Sequence, residues 1–229
     1  MKKSASNVLK KKKEYSLLSG KIPVYLINHI SHEIDLNSVL GIVEENVPAS
    51  IISLIEGIYI GNFQELTDRN IQAMFKDGVI YLSTLKELDV ASEMLMAGNI
   101  VHELAHALED KYGYLIYQNK DIEQEYQAKK EKLFFSLRAD LFKNFSRDLF
   151  FNEDRVDDLD SFLFHNVGYD KLSLLAADLF TSPYSITSIR EYFANGVEDY
   201  LLGDYDTLKH LCPKLFKVIK NLIKIVEKE

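Results

Sequence analysis

A chain of 229 residues with 47% hydrophobic and 27% charged residues is long enough to bury a substantial core, in one domain or two small ones. Its 27 Lys and Arg against 35 Asp and Glu leave a formal charge of −8, which argues against a general nucleic-acid binder. The single cysteine, Cys212, excludes an internal disulfide framework and fits a reducing compartment.

The N-terminus, MKKSASNVLKKKKEYSLL, is basic and lacks an apolar run of signal-peptide length. No stretch approaches the roughly 18 consecutive apolar residues of a membrane span. The expectation is a cytoplasmic or otherwise intracellular chain with no membrane partner, in which residues 1–20 form a flexible basic tail and 21–229 the folded domain.

The segment KIPVYLIN at 21–28 is rich in β-formers and reads as a first strand. A helix is expected from about Asp35, whose carboxylate can cap the run Leu36, Val39, Leu40 and Val43. Pro48 opens a second short helix that stops at Gly57, IYIG follows as a short strand, and GVIYLS at 78–83 is a third strand entered through the turn Asp77-Gly78. From Val90 the spacing is helical, with Gly113 as a plausible stop. Residues 121–151 and 155–180 read as helical, TSPYSIT interrupts, and Ser188–Leu202 and Tyr205–Lys228 read as two closing helices. The sum is one α+β domain with a small N-terminal sheet and a mostly helical C-terminal half.

Inside the long helix lies His102-Glu103-Leu104-Ala105-His106, the spacing His-Glu-x-x-His. Residues four apart share a helix face, so both imidazoles can grip one metal ion while Glu103 reaches a metal-bound water as general base. The apolar neighbours Ile100, Val101, Leu104 and Ala105 imply burial, where two uncompensated histidines and a glutamate would be costly. A catalytic zinc takes three protein ligands and keeps one position open, so a third ligand must come from elsewhere. A third nearby histidine is excluded, because Glu109 and Tyr112 occupy the positions that an extended motif needs. His29, His32, His165 and His210 read as ordinary surface or core residues. The better candidate is Glu191, on a helix whose apolar face of Ile189, Phe193, Val197 and Leu201 can pack on the motif helix. Glu198 and Asp199 are rivals that read more simply as a solvated acidic face.

The stretches HELAHALEDKYGYL at 102–115 and YSITSIREYFANGVEDYL at 184–201 together resemble the glutamate-zincins (gluzincins), most closely those of the lethal factor-like type. The resemblance covers roughly residues 78–226, strongly at the two motifs and weakly between them. It implies a zincin-like metallopeptidase domain holding one Zn2+ per chain through His102, His106 and Glu191, with Glu103 as base and Tyr184, seven residues before Glu191, as hydroxyl donor to the oxyanion. It also implies an edge strand that pairs with extended protein or peptide substrate, for which Val79, Ile80, Tyr81 and Leu82 are the match. Where such enzymes often carry a histidine-orienting carboxylate, four residues after the ligand glutamate, this chain has Asn195, which can accept the same hydrogen bond. The acidic stretch NEDRVDDLDSFLF at 152–164 departs from the family pattern. The expected function is zinc-dependent endopeptidase activity. The alternative is a catalytically silent zincin-fold module that keeps the metal.

Overall fold

The computed structural model describes residues 15–28, 34–84, 92–137 and 145–228. The chain forms an α+β fold, with the sheet built before residue 84 and helices thereafter. The strands are β1 (Tyr15–Leu17), β2 (Ile22–Leu26), β3 (Gly57–Gly61), β4 (Ala73–Lys76) and β5 (Val79–Ser83), in the spatial order β1-β2-β3-β5-β4. β2, β3 and β5 run parallel, and the outer strands β1 and β4 run antiparallel to their neighbours.

Alternation decides which face is covered. Ile22, Val24, Ile58, Ile60, Ile80 and Leu82 point to one side and are buried. The other side carries Tyr25, Tyr59 and Tyr81, stacked across three strands with ring centroids 4.8 and 5.8 Å apart. On the buried side lie α1 (Leu36–Asn46), α2 (Ala49–Ile52) and α4 (Ser92–Tyr117); α3 (Gln64–Asp68) connects β3 to β4. Asp35 caps α1 as expected, accepting from the Asn37 N–H at 2.9 Å.

Several expected boundaries shift. Residues 15–20, assigned to the tail, form β1 and a tight turn because Leu17 is fully buried and pairs with Ile22; residues 1–14 lie outside the described region. The expected helix start at Val90 also lies outside it. Gly113 does not stop α4. The helix kinks at Tyr112 and runs on to Tyr117, held by buried Ile116 and by the Tyr117 hydroxyl donating to Glu109 at 2.5 Å. The expected helix 121–151 ends at Ser136 (α5, Asp121–Ser136), with the one-turn α6 (Arg147–Phe150) later. The expected helix 155–180 is α7 (Asp157–Ser161), a π-helical turn over Phe162–Val167 and α8 (Tyr169–Ala176), divided at Gly168 with φ 85°. After α9 (Ile189–Leu201), the last expected helix is two: α10 (Tyr205–Leu211) and α11 (Pro213–Val226). Pro213 lacks the N–H that a continuous helix would need, yet fits the first turn of a new one.

The strand GVIYLS is not an edge. β5 sits between β3 and β4, and the edge on that side is β4, which no strand pattern in the sequence announces. Asp77 and Gly78 take φ values of 50° and 78°, the two positive angles of a tight hairpin turn, so the same dipeptide that announces β5 also folds β4 back beside it.

Candidate metal centre

α4 packs against α9 on one flank and against β4 and β5 on the other, which brings three separate stretches of sequence to one cleft. His102 and His106 lie one turn apart on α4 with ring centroids 5.1 Å apart. Glu191 lies in the first turn of α9, whose N-cap Ser188 accepts from the Glu191 N–H through its hydroxyl at 3.2 Å. Glu191 Oε2 stands 2.9 Å from His102 Nε2 and 3.7 Å from His106 Nε2. One ligand atom from each of the three residues falls within 4.8 Å of the others, and this is the group of metal-ligating side chains that the described residues assemble.

The donors suit a divalent ion. Two ligands at zinc bonding distance and the tetrahedral angle are about 3.3 Å apart, a value that the observed 2.9 and 3.7 Å bracket. Two imidazole nitrogens and one carboxylate oxygen also leave a fourth position for water. Burial alone would lower the His102 pKa, but the neighbouring carboxylates of Glu191 and Glu198 raise it to about 10. His106 is likewise opposed by burial and raised to about 9 by Glu109 and Glu191. Burial pushes the Glu191 carboxyl up, yet the two histidines outweigh it and hold the group far below the usual carboxylate range. The cluster therefore concentrates exchangeable protons where a cation would take their place.

Glu103 is buried beside the two histidines, and its Oε2 accepts from the Phe75 N–H of β4 at 2.5 Å. Burial raises its pKa, and His106 and His102 pull against that rise. Tyr184 occupies the short 3-10 turn Pro183–Ile186, where the Ser182 hydroxyl accepts from its N–H at 3.2 Å. That turn is tied down by the Tyr126 hydroxyl of α5, which donates to the Ile186 carbonyl at 2.8 Å. The Tyr184 ring centroid is 6.4 Å from that of His102, and burial followed by Glu191 pushes the phenol up to about 12, so it remains a donor at neutral pH. His102, Glu103, His106, Tyr184 and Glu191 thus line one cavity of about 640 Å³ with β4 as a wall.

Asn195, expected to accept a hydrogen bond from a histidine ligand, shows no such bond among the described residues. Its Nδ2 donates to the Glu191 backbone carbonyl at 2.8 Å, a bond within α9. Two carboxylates stand beside the outer ring nitrogens. Glu198 Oε2 is 3.4 Å from His102 Nδ1, and Glu109 Oε2 is 3.6 Å from His106 Nδ1, an ion-pair rather than a hydrogen-bond separation. Glu109 is in turn held by Arg190 Nε at 2.8 Å and by Tyr117. Spacing carried the missing signal: Glu198 is seven residues after Glu191 and Glu109 three after His106, so each shares a face with its ligand.

Asp199 does not join the cluster; neither do His165 and His210, and His29 and His32 lie outside the described residues. The expected substrate strand Val79–Leu82 is screened from the cleft by β4. The β4–β5 register puts Lys76 opposite Val79, and the Ser83 N–H donates to the Gln72 carbonyl at 2.8 Å, so the even-numbered residues face β5. Ala73 and Phe75 turn their backbone groups outward, as the Phe75 bond to Glu103 attests. Comparison of the chain with protein-family models, with curated proteins and with solved structures finds no match. No helix among the described residues is long and apolar enough to cross a membrane.

Proposed function

We propose that this chain is a zinc-dependent endopeptidase with a zincin-like domain, holding one Zn2+ through His102, His106 and Glu191. The observation that carries the reading is the convergence of those three ligand atoms within 4.8 Å beside a buried Glu103, at a cleft bordered by the outward backbone of β4. Each element has a use in hydrolysing a peptide bond. Ala73 and Phe75 offer N–H and C=O groups that can bind an extended substrate as a further strand. Held by His102, His106 and Glu191, a zinc ion would lower the pKa of a bound water toward about 7 and polarise a carbonyl. Glu103 accepts the proton of the attacking water and returns it to the leaving amine. The Tyr184 hydroxyl donates to the oxygen on which negative charge develops. A substrate carbonyl that takes over the Phe75 N–H also releases Glu103 for this work.

The test has two parts. Metal analysis of protein purified without chelator is expected to find about one zinc per chain, lost in His102→Ala, His106→Ala and Glu191→Ala. Comparing new protein N-termini in a lysate treated with wild type or with Glu103→Gln is then expected to find cleavage by wild type alone, because the amide cannot accept a proton. Zinc retained in the three ligand variants would sink the metal site. A zinc-loaded wild type that cleaves nothing would leave a metal-holding module without turnover.

A further inference from the structure

The chain carries an excess of acid, yet three of its five arginines line the cleft beside the metal-ligating group. Arg69, Arg155 and Arg190 do so; Arg147 lies elsewhere, and Arg138 lies outside the described residues. Two of the three already have carboxylate partners. Arg190 holds Glu109 and Asp110 at 2.8 and 3.2 Å, and Arg155 Nη2 holds Asp160 Oδ2 at 2.9 Å. The cleft lysine, Lys76, is paired with Glu65 at 3.0 Å. Arg69 differs. It is exposed, its Nη1 contacts the weak acceptor Sδ of Met74 at 3.3 Å, and no carboxylate among the described residues stands within ion-pair distance of it.

Arg69 stands where the cleft continues past the metal group. Beyond Tyr184 a second recess of about 360 Å³ opens, walled by Ile71, Leu163, Phe164 and Pro183, with Arg69 and Arg155 lining both it and the main cavity. Counting the charged side chains at this junction, Arg69 and Arg155 against Asp160, leaves one positive charge uncompensated. A cation between low-dielectric walls attracts an anion more strongly than one on an open surface, and a guanidinium presents two parallel donors to a carboxylate.

We propose that the Arg69 end of the cleft is a carboxylate-binding subsite, so that the preferred substrates are peptides bearing an acidic side chain or a C-terminal carboxylate there. The inference rests on the peptidase reading and adds the substrate's chemical class to it. Direction follows from the edge strand. A peptide added to β4 in the antiparallel sense, the more stable pairing per residue, runs from the Lys76 end toward the Ala73 end, and the chain before Ala73 leads through Ile71 to Arg69. The carboxylate therefore belongs to a residue on the C-terminal side of the cleaved bond.

The test uses the zinc-loaded Glu103→Gln chain, in which binding is read without turnover. Three peptides of one apolar sequence are compared: a neutral amidated form, an amidated form with a single Glu on the C-terminal side, and a neutral form with a free C-terminal carboxylate. At least one carboxylate peptide is expected to bind roughly tenfold tighter than the neutral amide, and which one identifies the source of the carboxylate. In Glu103→Gln/Arg69→Gln that advantage is expected to fall to about twofold or less, and with Arg69→Glu to reverse. Arg69 is exposed, so an unchanged Tm is the expected check that the fold is intact. Equal binding of the three peptides, no binding of any, or a preference that survives Arg69→Gln would each overturn the proposal; the last would assign the attraction to the metal. Failure of the peptidase reading would show separately, as an absence of cleavage by zinc-loaded wild type.

Discussion

Three residues beside the proposed ligands can be tested one at a time. Tyr184 lines the cleft as a protonated phenol, and its ring contributes to packing in any reading. Tyr184→Phe keeps the ring and removes the donor, so kcat is expected to fall roughly 10²–10³-fold, about 2.7–4 kcal/mol, with zinc content and KM little changed. A near-wild-type kcat in that variant would return the residue to packing alone. Glu198 and Glu109 stand 3.4 and 3.6 Å from the outer nitrogens of His102 and His106. In the proposed zinc site a carboxylate there would hold the ring with its other nitrogen toward the ion, and removing such a partner costs about 10- to 100-fold in metal affinity. Glu198→Gln and Glu109→Gln are therefore expected to raise the zinc Kd by that factor, measured by chelator competition. An unchanged Kd in both variants would show that the rings are set by packing alone.

At the scale of elements, the site depends on α9 being wedged between α4 and α11. Gly196 marks the closest approach: a Cβ there would stand 2.5 Å from Leu215 Cδ2 and 3.0 Å from Ile219 Cδ1, both in buried side chains of α11. Gly196→Ala offers better helix propensity by about 1 kcal/mol, but the overpacking it forces costs about 1–3 kcal/mol. The expected outcome is a lower midpoint in urea with an unchanged slope; a stabilised variant would mean that α11 yields freely. The sequence showed both helices by their apolar spacing, but it could not show which glycine faces a neighbour. Gly113 and Gly196 look alike in a helical pattern, and only Gly196 has another helix's side chains where its Cβ would be.

Across the whole molecule, α5 acts as a polar strut in the interior. Glu125 accepts from the Lys214 and Leu215 N–H groups at the start of α11, and Lys129 donates to the carbonyls of Leu179 and Leu211. Lys130, fully buried, donates to the Asn152 carbonyl at 2.9 Å. Burial pushes Lys130 down to about 7, with Glu153 opposing the fall. A lysine whose folded pKa lies below its unfolded value of 10.5 penalises the folded state when protonated. That penalty is full below about 7 and fades as pH rises from there toward the unfolded pKa, because over that range the unfolded chain binds the extra proton. Wild type is therefore expected to gain stability relative to Lys130→Met between about pH 7 and pH 10, read as the difference in unfolding free energy at each pH. A difference independent of pH would show that Lys130 stays protonated throughout.

What the sequence by itself determined was local chemistry and local period: the histidine pair one turn apart with Glu103 between them, the cap at Asp35, the turn at Asp77-Gly78, the apolar stripe of the helix bearing Glu191. Each is settled within a few residues by helix geometry or backbone angle. Tertiary structure decided what the same residues face. Ser188 and Glu191 have the spacing of a helix-capping pair, in which the glutamate would fold back on its own helix, but packing against α4 turns the carboxylate toward His102 instead. Strand order moved the outward backbone from β5 to β4, since pairing partners are chosen by long-range contacts that no stretch of strand encodes alone. Helical spacing alone does not say whether Glu125, Lys129 and Lys130 face water; they are buried, because the carbonyls and N–H groups that satisfy them come from Asn152, Leu179, Leu211 and α11, far away along the chain.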